Sequence, residues 1–91
     1  MSGFKITGGK GFHVTFDNGW TVSVQFGQYN YCAVRTMRDR AGDHVGPGES
    51  SSAEIAAWDA SGEWYQFEGS TVDGYKSPAE VLAFMQTVAA L

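Results

Sequence analysis

Phe12-His13-Val14-Thr15-Phe16-Asp17-Asn18-Gly19-Trp20-Thr21-Val22-Ser23-Val24-Gln25-Phe26 is the stretch that decides the fold. Apolar side chains fall at every second position on both sides of Asp17-Asn18-Gly19, which is the period of half-buried strands. An Asn-Gly pair favours a two-residue type I′ turn. That turn places Phe16 opposite Thr21 and Val14 opposite Ser23, and directly opposed residues share a face. Both faces would then be mixed. A three-residue loop with Gly19 left-handed instead pairs Phe16 with Trp20, Val14 with Val22 and Phe12 with Val24. His13, Thr15, Thr21 and Ser23 then share the other face. Because a one-residue slip exchanges faces, the pattern selects the longer loop with its G1 bulge.

The same logic predicts a second hairpin, Glu54 to Asp59 with Glu63 to Phe67, around Ala60-Ser61-Gly62. With Gly62 left-handed, Ile55 faces Phe67, Ala57 faces Tyr65 and Trp58 faces Trp64. One face is apolar; the other carries Ala56, Trp58, Trp64 and Gln66, where two opposed tryptophans suit a cross-strand stack or a contact. Ser77-Pro78-Ala79-Glu80 reads as a capping box with proline at the first helical position. Val81, Leu82, Phe84, Met85, Val88 and Leu91 follow as an apolar stripe at helical spacing. About thirteen residues make a rod of about 20 Å, expected to lie across the apolar face of the sheet. Tyr29 to Thr36 alternates as a third strand, and Met37 to Ser52, with three glycines, a proline and three consecutive serines, reads as loop. A structureless loop that long in a small domain is usually functional or mobile. The expected fold is α+β: an antiparallel meander of four to five strands with one C-terminal helix packed on one face, in a single domain spanning 1–91.

With 91 residues the chain can bury one core. Six Lys and Arg against ten Asp and Glu give a formal charge of −4, and 43% of residues are hydrophobic. That composition is neither disordered nor the positive footprint of a nucleic-acid module, so no nucleic acid is expected as partner. The single cysteine, Cys32, cannot form an internal disulfide, which favours a reducing compartment. No stretch has the length of a signal peptide or membrane span, so a cytoplasmic protein with no membrane partner is expected.

Chemistry-bearing residues are few. His13 beside Ser23 reads as an ordinary strand histidine. Cys32 with His44 and Asp43 carries the residue types of a thiol hydrolase, in which imidazole takes the thiol proton. No signature surrounds Cys32, and a lone strand cysteine is commonly a small buried hydrophobe. Two histidines and one cysteine are too few for a structural zinc site, and Asp39, Asp43 and Glu49 do not match a calcium loop. Neither a metal nor a cofactor is expected. Gly8-Gly9-Lys10-Gly11 precedes a strand, whereas a phosphate loop opens a helix, so it reads as a bend. Arg35, Arg38 and Arg40, preceded by Tyr29 and Tyr31 and followed by His44, form the one basic cluster with aromatics. Arg and Tyr are enriched at protein–protein hot spots. These six residues, with Trp58 and Trp64 as the next candidates, are the expected partner-binding positions.

Three stretches carry a resemblance: Phe12 to Gly27 (FHVTFDNGWTVSVQFG), Ala53 to Phe67 (AEIAAWDASGEWYQF) and Ser77 to Phe84 (SPAEVLAF). In these the chain resembles small uncharacterised proteins encoded by bacteriophages of actinobacteria. The resemblance is one of general pattern and transfers no site residue. It implies a phage accessory protein acting in the cytoplasm of a bacterial host. The expected function is a non-enzymatic interaction protein binding a host or phage protein. The alternatives are a virion or structural accessory whose strand edges pair into a homo-oligomer, a small thiol hydrolase using Cys32 and His44, and an acidic nucleic-acid mimic. Ten carboxylates without a dense run argue against the mimic.

Overall fold

The computed structural model describes residues 2–7, 11–26 and 50–91. They form strands β1 (Gly3–Ile6), β2 (Gly11–Thr15), β3 (Thr21–Gln25), β4 (Ala53–Trp58) and β5 (Asp73–Lys76), then helix α1 (Pro78–Ala89). The strands make an antiparallel sheet in the order β1-β2-β3-β4-β5 with the helix on one face. The α+β meander follows from the sequence pattern. Tyr29 to Thr36, Cys32 and most of the Met37 to Ser52 stretch lie outside the described residues.

The decisive register is the three-residue one. Phe12 pairs with Val24 and Val14 with Val22, the Phe16 amide donates to the Trp20 carbonyl at 2.8 Å, and Gly19 has φ 88°. Across the next pair Val22 faces Ala57 and Val24 faces Ile55, so the apolar face is continuous over three strands. Val22, Ala57 and Val88 of α1 have no exposed surface. Full burial of a valine contributes about 1.5–3 kcal/mol, and Val88 anchors the helix.

The helix begins as its sequence specifies. Ser77 Oγ accepts from the Glu80 amide at 3.2 Å, and Glu80 Oε1 accepts from the Ser77 amide at 3.0 Å. Such a cap contributes about 0.5–2 kcal/mol. Its other end is held from outside. Asn18 Nδ2 donates to the carbonyls of Val88 (2.8 Å), Ala89 (3.3 Å) and Leu91 (3.2 Å). The last turn carries no basic side chain, so this amide meets the negative end of the helix dipole. Meanwhile Asn18 Oδ1 accepts from the Trp20 amide at 3.0 Å and shapes its own turn.

The helix has the expected length, 12 residues, and packs on the apolar face over β3, β4 and β5, along the strands. Its first turn adjoins Ala53 and its last carbonyls meet the 17–19 turn. Its stripe is narrower than the pattern suggests: Val81, Phe84, Met85 and Val88 face the core, while Leu82 and Leu91 are each 57% exposed. Leu82 lies one position, about 100°, around the helix from Val81, and Leu91 lies beyond the last turn.

Glu63 to Phe67 is not a full strand. Trp58 pairs with Trp64 and the Tyr65 amide donates to the Ala57 carbonyl at 2.8 Å, as the register predicts. Beyond that the chain leaves β4 and turns back at Gly69, with Phe67 bridging Ser70. Ile55 therefore pairs with Asp73 and not with Phe67. The physical reason is aromatic. Phe84 holds the Tyr65 ring at 5.3 Å and the Phe67 ring at 5.2 Å, which draws the segment over the helix. Phe84 is accordingly half-buried against these rings. Strand β1 is a further addition, since Phe4-Lys5-Ile6 is too short to declare itself.

The two turns share one geometry. In the second, the Asp59 amide donates to Glu63 at 2.8 Å and Gly62 has φ 87°. Asp59 Oδ1 accepts from the Ser61 hydroxyl at 2.6 Å and the Ser61 and Glu63 amides at 2.9 and 3.0 Å. These bonds, the Ser61 hydroxyl first, hold the Asp59 carboxyl below its usual pKa. A Cβ on Gly19 would come within 3.1 Å of Ala60 Cβ, whereas one on Gly62 meets nothing within 4 Å. Gly62→Ala should therefore cost about 1–2 kcal/mol for the left-handed backbone alone, and Gly19→Ala should cost more. Urea denaturation of the two variants measures the difference.

Replacing Asn18 by aspartate keeps the turn chemistry and turns the donor into an anion against three carbonyls. Asn18→Asp should lose about 1–2 kcal/mol at neutral pH and recover part of it below the carboxyl pKa. Equal stability of Asn18→Asp and wild type at pH 7 would disprove the cap.

Candidate functional site

The face opposite the helix is built by residues out of phase with the core. Lys5, His13, Ser23 and Ala56 align across β1 to β4, and Thr15, Thr21 and Trp58 form the next row. Thr15 and Thr21 share a hydroxyl hydrogen bond of 2.8 Å. The Trp58 ring meets the His13 imidazole edge-on at 5.0 Å, and Trp64 stacks on Trp58 at 4.9 Å, tilted 45°. Imidazole and indole thus reach towards each other over β3. His13 and Trp58 roof this face over Thr21 and Ser23, which are both buried, while α1 lies on the other face. Among the described residues no buried side-chain nitrogen or oxygen lacks a partner.

Trp64 lies at the outer end and is 44% exposed. Burial first, and the Lys5 ammonium second, push the His13 pKa below its ordinary value of 6.5, so the imidazole is neutral at physiological pH. The surface presented is a neutral aromatic platform of three rings on a rigid sheet. Of its polar neighbours, the Thr15 and Thr21 hydroxyls are already engaged with each other.

On the helix side lies an apolar groove of about 290 Å³ bordered by Phe12, Val24, Phe26, Val81 and Leu82. Lys76 at its rim is paired with Asp73 at 2.9 Å and Glu80 at 3.7 Å. Its charge is already balanced, and the groove suits apolar groups better than anions.

The structure brings together two of the sequence-predicted site residues, Trp58 and Trp64, and adds His13. Tyr29, Tyr31, Arg35, Arg38, Arg40 and His44 lie outside the described residues, as does Cys32. His13 was legible only through register: once it is opposite Ser23, it shares a face with Trp58. Among the described residues no three metal-ligating side chains cluster, and no helix is long and apolar enough to cross a membrane.

Comparison with known proteins returns no family model, no curated protein and no solved structure that matches the chain. The site is therefore read from its own chemistry.

The lowered His13 pKa has a definite sign. The unfolded chain takes up the proton first as pH falls, so stability is full above about 6.5 and declines as pH falls through the folded pKa. An NMR titration should place the His13 midpoint below 6.5, and Lys5→Ala should move it upwards. A midpoint at or above the ordinary value would show that imidazole and indole are not packed.

Proposed function

We propose that the chain is a small non-enzymatic interaction protein, of the phage accessory kind, that binds a host or phage protein in the bacterial cytoplasm. The observation that carries this reading is the exposed Trp64 stacked on Trp58, whose ring in turn packs against His13. Tryptophan and arginine dominate interface energetics when they are desolvated at a contact. A platform whose rings are already packed loses little entropy on binding. Neutral His13 adds no charge to desolvate. The arginines of the 35–40 stretch supply the complementary element, since a planar guanidinium stacks on aromatic groups and pairs with carboxylates.

The test compares two variants in affinity capture from host lysate. Wild type should retain one dominant protein. Trp64→Ala, and separately the triple change of Arg35, Arg38 and Arg40 to Ala, should each weaken that capture at least tenfold. Trp64→Ala should also lose about 0.5–1.5 kcal/mol of stability with its ring contact to Trp58, so both variants are first shown by cooperative unfolding to remain folded. Full retention of the partner by both variants would refute the reading.

A further inference from the structure

Among the described residues the sheet ends in two unequal edges. In β5, Tyr75 has φ 54° and the register shifts between Ala53 and Ile55. Such a bulge twists an edge away from further pairing. By contrast β1 pairs with β2 without interruption, from Gly3 opposite Thr15 to Ile6 opposite Phe12.

One hydrogen bond shows which β1 groups point outwards. The Thr7 amide donates to the Gly11 carbonyl at 3.1 Å, so Thr7 faces β2. Bonded and non-bonded positions alternate along an antiparallel pair. Lys5 and Gly3 therefore also face β2, and Ser2, Phe4 and Ile6 turn their N–H and C=O groups to the open edge. On the helix side of that edge Phe4 is 79% and Ile6 80% exposed, with the Phe4 ring 6.3 Å from Phe12.

We propose that β1 pairs antiparallel with β1 of a second copy, with Phe4 opposite Phe4 on a two-fold axis perpendicular to the sheet. Symmetric registers that use the outward groups are few. Centring on Phe4 bonds Ser2 of each copy to Ile6 of the other and Phe4 to Phe4, and sets Lys5 opposite Gly3. Centring on Lys5 loses the Ser2 bonds and places two ammonium groups face to face, which is destabilising. The Phe4-centred register makes the larger set of bonds, packs the two phenyl rings together and gives each lysine a residue without a side chain to cross. The row is thus complementary to itself, which is what an isologous contact requires.

So short an edge gives an interface below about 1,200 Å², in the range of reversible complexes. The dimer would carry both helices on one side and both aromatic platforms on the other. The pairing does not depend on what those platforms bind.

Sedimentation equilibrium of the whole chain over a wide concentration range tests the pairing. The mass should rise from one chain towards two, and Phe4→Lys, a change at an exposed position, should hold it at one chain throughout. In a Cys32→Ser background, Phe4→Cys should oxidise to a disulfide-linked dimer faster than Lys5→Cys. A wild-type chain that stays monomeric up to millimolar concentration overturns the proposal, as does a Phe4→Lys dimer as strong as wild type. Faster linkage through Lys5→Cys overturns the register.

Discussion

Asn18 joins the two halves of this fold. Its carboxamide oxygen accepts from the Trp20 amide and its nitrogen donates to the last carbonyls of α1. One side chain therefore shapes the turn that fixes the register and also holds the helix that covers the resulting face. The two roles require each other. If the turn held two residues instead of three, Val14 and Val22 would no longer be opposed, and Val88 would have no apolar pair to settle on. The left-handed glycine after Asn18 supplies the extra residue, and the carboxamide then projects from the end of the hairpin to the helix terminus.

Register also explains how a polar face can be partly buried. Thr21 and Ser23 retain only 9% and 7% of their surface, values that a solvent-facing strand does not reach by itself. The roof over them is His13 with Trp58, and Trp64 extends that roof past the edge of β4. Aromatic rings on the far face thus do for two hydroxyl-bearing residues what the helix does for the valines. The difference is that the outermost ring, Trp64, keeps 44% of its surface exposed. A sheet with both faces furnished in this way holds its exposed ring on a rigid element, and rigid placement lowers the ordering cost of any contact made there.

The meander, both three-residue turns, the capping box and the Trp58–Trp64 pair were all legible in the sequence, because each rests on local periodicity or on a residue with one preferred role. What was not legible depended on competition between distant segments. Nothing local in Glu63 to Phe67 shows that Phe84 attracts Tyr65 and Phe67 more strongly than Ile55 does. Nor does Asp73-Gly74-Tyr75-Lys76 read as a strand; it becomes one because the departure of Phe67 leaves Ala53 and Ile55 with unpaired backbone. His13 had the composition of an unremarkable strand residue, and only its cross-strand position beside Trp58 made it part of a surface. The helix cap by Asn18 was hidden for a similar reason: turn and helix end are 70 residues apart.

The open edge follows from the width of a single helix. An α-helix with side chains is about 10 Å across, and strands are about 4.8 Å apart. Because α1 runs along the strands, it covers little more than two of them, and it sits over β3, β4 and β5 where Val22, Ala57 and Ile55 lie. The sheet continues for two more strands. Phe12, on the nearer of these, still borders the helix and is half-buried, but Phe4 and Ile6 on β1 are out of its reach. Their exposure is thus the geometric remainder of covering a five-strand sheet with one longitudinal helix. A helix lying across the strands would cover β1 with its own apolar stripe, but its C-terminus would then leave the Asn18 turn. Keeping the cap that secures the register is what leaves the first strand uncovered.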